Sequence, residues 1–106
     1  MLEITARELQ AYLTTADPPP LLLDVREAGE YALCHIDGSR HIPMNQVPQA
    51  LDQLDPERET IVICHHGMRR ARVANYLEQA GFGRVINLAG GIHAWACEVD
   101  SAMPTY

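Results

Sequence analysis

Short apolar runs alternate with segments of helical periodicity along most of this sequence. Residues 21–23 are three consecutive leucines, and residues 60–63 (Thr-Ile-Val-Ile) are β-branched throughout, which is typical of buried strands. The segment 73–80 repeats apolar side chains at helical spacing and is followed by Gly81, a residue that often ends helices. Strands that alternate with helices predict an α/β fold, with a parallel sheet covered by helices on both faces.

The same patterns predict the individual elements. Thr5 and Glu8 have the spacing of a capping box, so we expect a first helix over about 6–14. Further helices are expected over 27–33, over 47–54, from about 69 to 80 with its inner stripe over 73–80, and around Trp95. Strands are expected over 21–25, 41–42 and 60–63 and from 85. We interpret residues 1–106 as one domain, with a core over about 4–96 and a short C-terminal tail from about residue 100.

Composition excludes several classes of protein. The chain has 106 residues and a formal net charge of −6, which argues against nucleic acid as a partner. No apolar run is long enough to span a membrane, and the first residues contain no secretory signal. Its three cysteines are an odd number without a CxxC motif, so they do not predict a disulfide framework. We therefore expect a cytoplasmic protein without a cofactor, and by default a monomer.

The segment that carries chemistry follows the strand over 60–63. Residues 64–70 read Cys-His-His-Gly-Met-Arg-Arg and join this strand to the next helix. In parallel sheets, ligands bind beyond the C-terminal ends of the strands, where Cys64 stands. A tight loop, permitted by Gly67, would direct backbone N–H groups and the N-terminal dipole of the helix toward the sulfur. This pattern predicts an anion cradle around a reactive thiolate.

Basic side chains crowd the start of that helix. Arg69, Arg70 and Arg72 oppose the helix dipole, an arrangement explained if at least one of them faces a bound anion. The alternative is that all three are solvated surface residues. His65 and His66 could join Cys64 as metal ligands, but adjacent residues in a short loop rarely converge on one ion. We therefore predict no metal site, and expect the histidines to shape the cradle.

Four short motifs in order resemble the rhodanese-like family. They are Leu23-Asp24-Val25-Arg26-Glu27, His35-Ile36-Asp37-Gly38 followed by His41-Ile42-Pro43, the loop CHHGMR over 64–69, and Gly90-Gly91-Ile92 with Trp95. The loop is similar to the family's six-residue active-site loop, which begins with Cys and has Gly in fourth place. The chain departs from the usual pattern at His65 and His66, at Arg70 and at Cys34. These departures leave the preferred sulfur donor and acceptor open.

The resemblance implies a rhodanese-like three-layer domain with a five-stranded parallel sheet. It implies a sulfurtransferase in which Cys64 takes sulfane sulfur from a small anionic donor such as thiosulfate. A thiol, cyanide, a thioredoxin-like protein or a sulfur-relay protein would then accept this sulfur. With this resemblance we predict Cys64 as the nucleophile and the loop residues His65, His66, Gly67, Met68 and Arg69 as the substrate-binding residues. We predict Asp24, Arg26 and Arg70 as supporting residues.

Two other functions remain as alternatives. Cys64 and Arg70 have the Cys-x5-Arg spacing of phosphatases and arsenate reductases, although no Asp that could act as general acid lies in the loop. A non-catalytic binding module is the second alternative, because a fold does not establish a function. Cys34 could also be a resolving thiol for Cys64, if the fold brings the two within bridging distance.

Overall fold

Five parallel strands form the single sheet of this computed structural model, which describes residues 2–65 and 68–105 and, for residues 68–71, the backbone alone. The strands are β1 (Leu2–Ile4), β2 (Leu21–Asp24), β3 (Arg40–His41), β4 (Thr60–Ile63) and β5 (Val85–Leu88). They are arranged in the order β1-β5-β4-β2-β3. The predicted α/β fold with a five-stranded parallel sheet is confirmed.

Helices cover both faces of the sheet. They are α1 (Ala6–Thr15), α2 (Ala28–Leu33), α3 (Val47–Ala50), α4 (Met68–Gln79) and α5 (Gly91–Glu98). Residues of α3 and α4 pack in a first core cluster with Val62 and Cys64. Residues of α1 and α5 pack in a second cluster with Ile61 and Ile63. Because side chains alternate along a strand, these two clusters lie on opposite faces of the sheet.

Local signals set the helix ends as predicted. The Thr5 side chain accepts a hydrogen bond from the Glu8 backbone, and the Thr5 backbone donates to the Glu8 carboxylate, so α1 begins with the expected capping box. Gly81 has a φ of +102° just beyond α4. The backbone N–H of Phe82 donates to the carbonyl of Leu77, which completes a glycine-terminated helix end.

The structure differs from the predictions at three places. Strand β1 was not predicted, because it is a three-residue edge strand whose first side chain, Leu2, is 68% exposed. The helix expected over 47–54 is only four residues long and is flanked by 3₁₀ turns at Met44–Gln46 and Leu51–Gln53. The C-terminal tail is partly anchored, because Met103 packs against the second core cluster.

No helix in the described parts of the chain is long and apolar enough to cross a membrane.

Candidate functional site

Cys64 follows the last residue of β4 directly, at the C-terminal edge of the sheet. Only 1% of its surface is exposed, and its side chain packs in the first core cluster together with Val62 and Val73. Helix α4 begins four residues later, at Met68. The strand, the cysteine and the helix therefore follow one another along the chain as predicted.

The first turn of α5 is bonded to the backbone of the cysteine loop. The N–H of Ile92 donates to the carbonyl of Cys64 over 2.7 Å, and the N–H of His93 donates to the carbonyl of His65 over 3.3 Å. A Cβ added at Gly91 would lie 2.2 Å from the Cys64 carbonyl oxygen, and the φ of Gly91 is +62°. Only glycine permits this approach, so the Gly-Gly motif has a direct structural role at the site.

The predicted cradle residues are described to different extents. His65 is half-buried beside Cys64. Met68, Arg69 and Arg70 form the first turn of α4, where the structure describes the backbone alone. His66 and Gly67 are not among the described residues. Their proposed contacts with an anion therefore stay predictions. Arg72, in the next turn of the helix, is exposed.

His93 belongs to the site, although the sequence suggested only a packing role for it. Its ring meets the ring of His65 edge-on, with 6.1 Å between the ring centres. Its Nε2 atom lies 3.7 Å from the sulfur of Cys97, an exposed residue one turn further along α5. The position of His93 depends on the docking of α5 against the loop, so no local sequence signal could have identified it.

Asp24 and Arg26 form a fully buried ion pair at the end of the neighbouring strand, β2. The Nη2 atom of Arg26 lies 2.7 Å from Oδ2 of Asp24, and Nη2 also donates to the carbonyl of Cys34 over 2.6 Å. Between them, the N–H of Val25 donates to the carbonyl of Ile63, the residue before Cys64. The pair thus holds the strand end that lies beside the cysteine.

The three cysteines lie in separate environments and none forms a disulfide. Cys34 is buried in the second core cluster, whereas Cys64 is buried in the first. The sheet therefore separates their side chains. This arrangement disfavours Cys34 as a resolving thiol, because a disulfide requires the two Cβ atoms to face each other within about 3.5–4.5 Å.

Nowhere in residues 2–65 and 68–105 do three side chains of His, Cys, Asp or Glu converge in a way that could hold a metal ion.

Comparison with known proteins identifies one family. The model of the rhodanese-like domain matches residues 5–98. A rhodanese-like/PpiC domain-containing chloroplast protein of Arabidopsis thaliana is 39% identical over 80% of this chain, which spans 30% of that protein's length. The putative sulfurtransferase YtwF of Bacillus subtilis is 40% identical, over 78% of this chain and 80% of its own.

Solved structures show the same relationship. A rhodanese-like domain protein from Staphylococcus aureus superposes with a TM-score of 0.86 at 32% sequence identity. The alignment covers 100% of this chain and 99% of the other, so the whole described fold is shared.

Proposed function

This chain belongs to the rhodanese-like family, and on that premise we propose that it is a sulfurtransferase that carries sulfane sulfur as a persulfide on Cys64. The observation that carries the proposal is the placement of Cys64. This residue is buried at the C-terminal end of a central strand and four residues before the start of α4, and its backbone carbonyl accepts a hydrogen bond from the first turn of α5. Backbone N–H groups at a helix N-terminus are donors that an anionic substrate or a persulfide could use.

The first half of the reaction loads the cysteine. The Cys64 thiolate attacks the outer sulfur of a thiosulfate-like donor and forms a new sulfur–sulfur bond. The original sulfur–sulfur bond of the donor breaks, and sulfite leaves with the electron pair. We expect Arg69, in the first turn of α4, to attract the donor and to stabilise the departing sulfite.

The second half returns the cysteine to its starting state. An acceptor nucleophile, either a thiolate or cyanide, attacks the outer sulfur of the persulfide. The bond between the two sulfurs of the persulfide breaks, and Cys64 recovers its thiolate. The acceptor becomes a persulfide or thiocyanate. A thioredoxin-like protein or a sulfur-relay protein is the kind of protein acceptor that we propose.

The surrounding residues hold the geometry. The backbone amides of the loop and the N-terminal dipole of α4 would stabilise the negative charge that remains on sulfur throughout. The buried pair of Asp24 and Arg26 keeps β2 in place beside the cysteine. The rings of His65 and His93 contact each other edge-on where the loop meets α5.

A steady-state assay tests the proposal. Wild-type protein and Cys64→Ser are given thiosulfate with cyanide and, in parallel, an aryl phosphate. We expect thiocyanate from the wild type alone and no phosphate release from either protein. Phosphate release that depends on Cys64 would instead support the Cys-x5-Arg alternative with Arg70. Inactivity toward both substrates would favour a different sulfur donor or a binding module.

A further inference from the structure

Asn87 differs from the other polar side chains buried in the described residues. Those residues bury four polar or charged side chains: Asp24, Arg26, Thr60 and Asn87. The first two pair with each other, and the Thr60 hydroxyl donates to the carbonyl of Arg58. The Oδ1 atom of Asn87 is buried and accepts a hydrogen bond from no residue in the described ranges. An unmet buried acceptor is costly, so its presence calls for a functional reason.

The sequence context of Asn87 is equally unusual. It is the third residue of β5 (Val-Ile-Asn-Leu), and the other three residues of the strand are apolar. Asparagine is depleted in strands, and an apolar residue here would extend the core. Both the composition of the strand and the unmet oxygen therefore indicate that this amide serves something other than packing.

Strand register places Asn87 beside the cysteine. Asn87 is the partner of Val62 in the pairing of β4 with β5, and Cys64 follows Val62 by two residues. Val62, Cys64 and Val85 all pack in the first core cluster, and alternation directs Asn87 to the same face. From the strand spacing and rise, the Cα atoms of Asn87 and Cys64 are about 8 Å apart, as diagonal neighbours on one face.

We propose that Asn87 is the polar partner of the Cys64 sulfur, and that its carboxamide donates an N–H to the thiolate and to the persulfide. This inference rests on the proposed sulfurtransferase function. The oxygen and nitrogen of a carboxamide are nearly equal in size, so a half-turn of the amide presents the donor without repacking. A hydrogen bond to an anionic sulfur is charge-assisted, and it therefore favours the reactive form.

Replacement by leucine isolates this role. Asn87→Leu keeps the approximate shape of the side chain and removes both polar atoms. The substitution leaves the nearby titratable and charged residues unchanged: His65 beside Cys64, His93 on α5 and the Asp24–Arg26 pair at the end of β2. It also leaves unchanged Arg69 and Arg70, which belong to the first turn of α4. A change in how the alkylation rate of Cys64 depends on pH can therefore be attributed to the loss of the Asn87 amide.

The experiment measures the alkylation rate of Cys64 by iodoacetamide as a function of pH, with each cysteine peptide resolved by mass spectrometry. We expect Asn87→Leu to move the midpoint for Cys64 upward by about one pH unit, equal to a tenfold change in the thiolate equilibrium. Turnover of thiosulfate at neutral pH should fall by about the same factor, with an unchanged KM. Resistance to urea should stay equal or increase, because an unmet polar atom is removed.

Thr60→Val is the matched control. It removes another buried polar group from the same sheet, at the far end of β4 from Cys64, and should leave the alkylation profile unchanged. Asn87→Ser keeps a smaller hydrogen-bond donor, so the midpoint of its alkylation profile should lie between those of the wild type and Asn87→Leu. This variant also tests the inference if Asn87→Leu does not fold.

Two results would overturn the inference. The first is an alkylation profile of Asn87→Leu that equals the wild type's, or such a profile in Asn87→Ser if only that variant folds. The second is a shift in the profile of Thr60→Val as large as that of Asn87→Leu. Failure of the proposed function is distinguished by a wild type that forms no thiocyanate from thiosulfate and cyanide, or by Cys64→Ser forming as much as the wild type, because neither result depends on the residue at position 87.

Discussion

The carbonyl oxygen of Cys64 lies 2.7 Å from the backbone nitrogen of Ile92. This hydrogen bond joins the start of the reactive loop to the first turn of α5, 28 positions further along the chain. The bond is possible because Gly91 brings its backbone against the carbonyls of both Cys64 and His65. The C-terminal Gly-Gly motif therefore acts on the active-site loop through the backbone, independently of any side-chain contact with substrate.

Gly91→Ala should disrupt the loop. The new methyl group would lie 2.2 Å from the Cys64 carbonyl oxygen, and the positive φ alone costs about 1–2 kcal/mol for a residue with a Cβ. We expect lower stability in urea unfolding and a loss of sulfur transfer by at least a factor of ten. Gly29→Ala is the control, because nothing lies within 4 Å of the added atom and the residue is helical. Equal activity of the two variants would refute the role of Gly91.

Arg26→Met should destabilise the protein strongly. It leaves the buried carboxylate of Asp24 without its guanidinium partner, a change that costs about 3–5 kcal/mol in comparable buried pairs. The double variant Asp24→Leu with Arg26→Met removes both charges and should recover much of the loss. Chemical denaturation of the three proteins measures the difference. A single variant as stable as the wild type would show that the pair does not stabilise this edge of the sheet.

Neither Cys34 nor Cys97 should be needed for sulfur transfer. Cys34 lies on the opposite face of the sheet from Cys64, and Cys97 is exposed on α5. We expect Cys97→Ser to retain wild-type turnover and Cys34→Ala to lose stability but not chemistry. Mild oxidation with peroxide should produce no disulfide between Cys34 and Cys64, as read by non-reducing peptide mapping. Detection of that bridge would restore the resolving-thiol hypothesis.

The capping box of α1 predicts a dependence of stability on pH. The hydrogen bond from the Thr5 backbone lowers the pKa of Glu8 from its ordinary value of 4.5. A lowered pKa in the folded state means that the carboxylate stabilises the fold above pH 4.5, and that this contribution is lost as the pH falls through the folded pKa. The thermal unfolding midpoint of Glu8→Ala should therefore lie below that of the wild type at pH 7, and the difference between the two should shrink in acid. An equal difference in unfolding midpoint at both pH values would contradict a stabilising role for the ionised Glu8 carboxylate.

Much of the fold could be predicted because its signals are local. The β-branched run of β4, the Thr5–Glu8 cap and the glycine after α4 each specify an element through neighbouring residues alone. The position of Cys64 followed from this, because the end of a buried strand in a parallel sheet is where ligands bind.

The remaining features depend on contacts between distant parts of the chain. Strand β1 is recognisable only when β5 is beside it, since Leu2 is mostly exposed. The contact of His93 with His65 exists only because α5 docks against the loop. The separation of Cys34 from Cys64 likewise depends on which face of the sheet each side chain occupies. None of these follows from spacing along the sequence.

The central claim is that sulfur resides on Cys64 during transfer. The most direct measurement incubates the protein with thiosulfate, removes the excess donor and maps the cysteine peptides by mass spectrometry. We predict one additional sulfur atom on the Cys64 peptide, none on the peptides of Cys34 and Cys97, and loss of the added sulfur on treatment with cyanide. Sulfur transfer by a protein whose Cys64 never gains this atom would contradict the account.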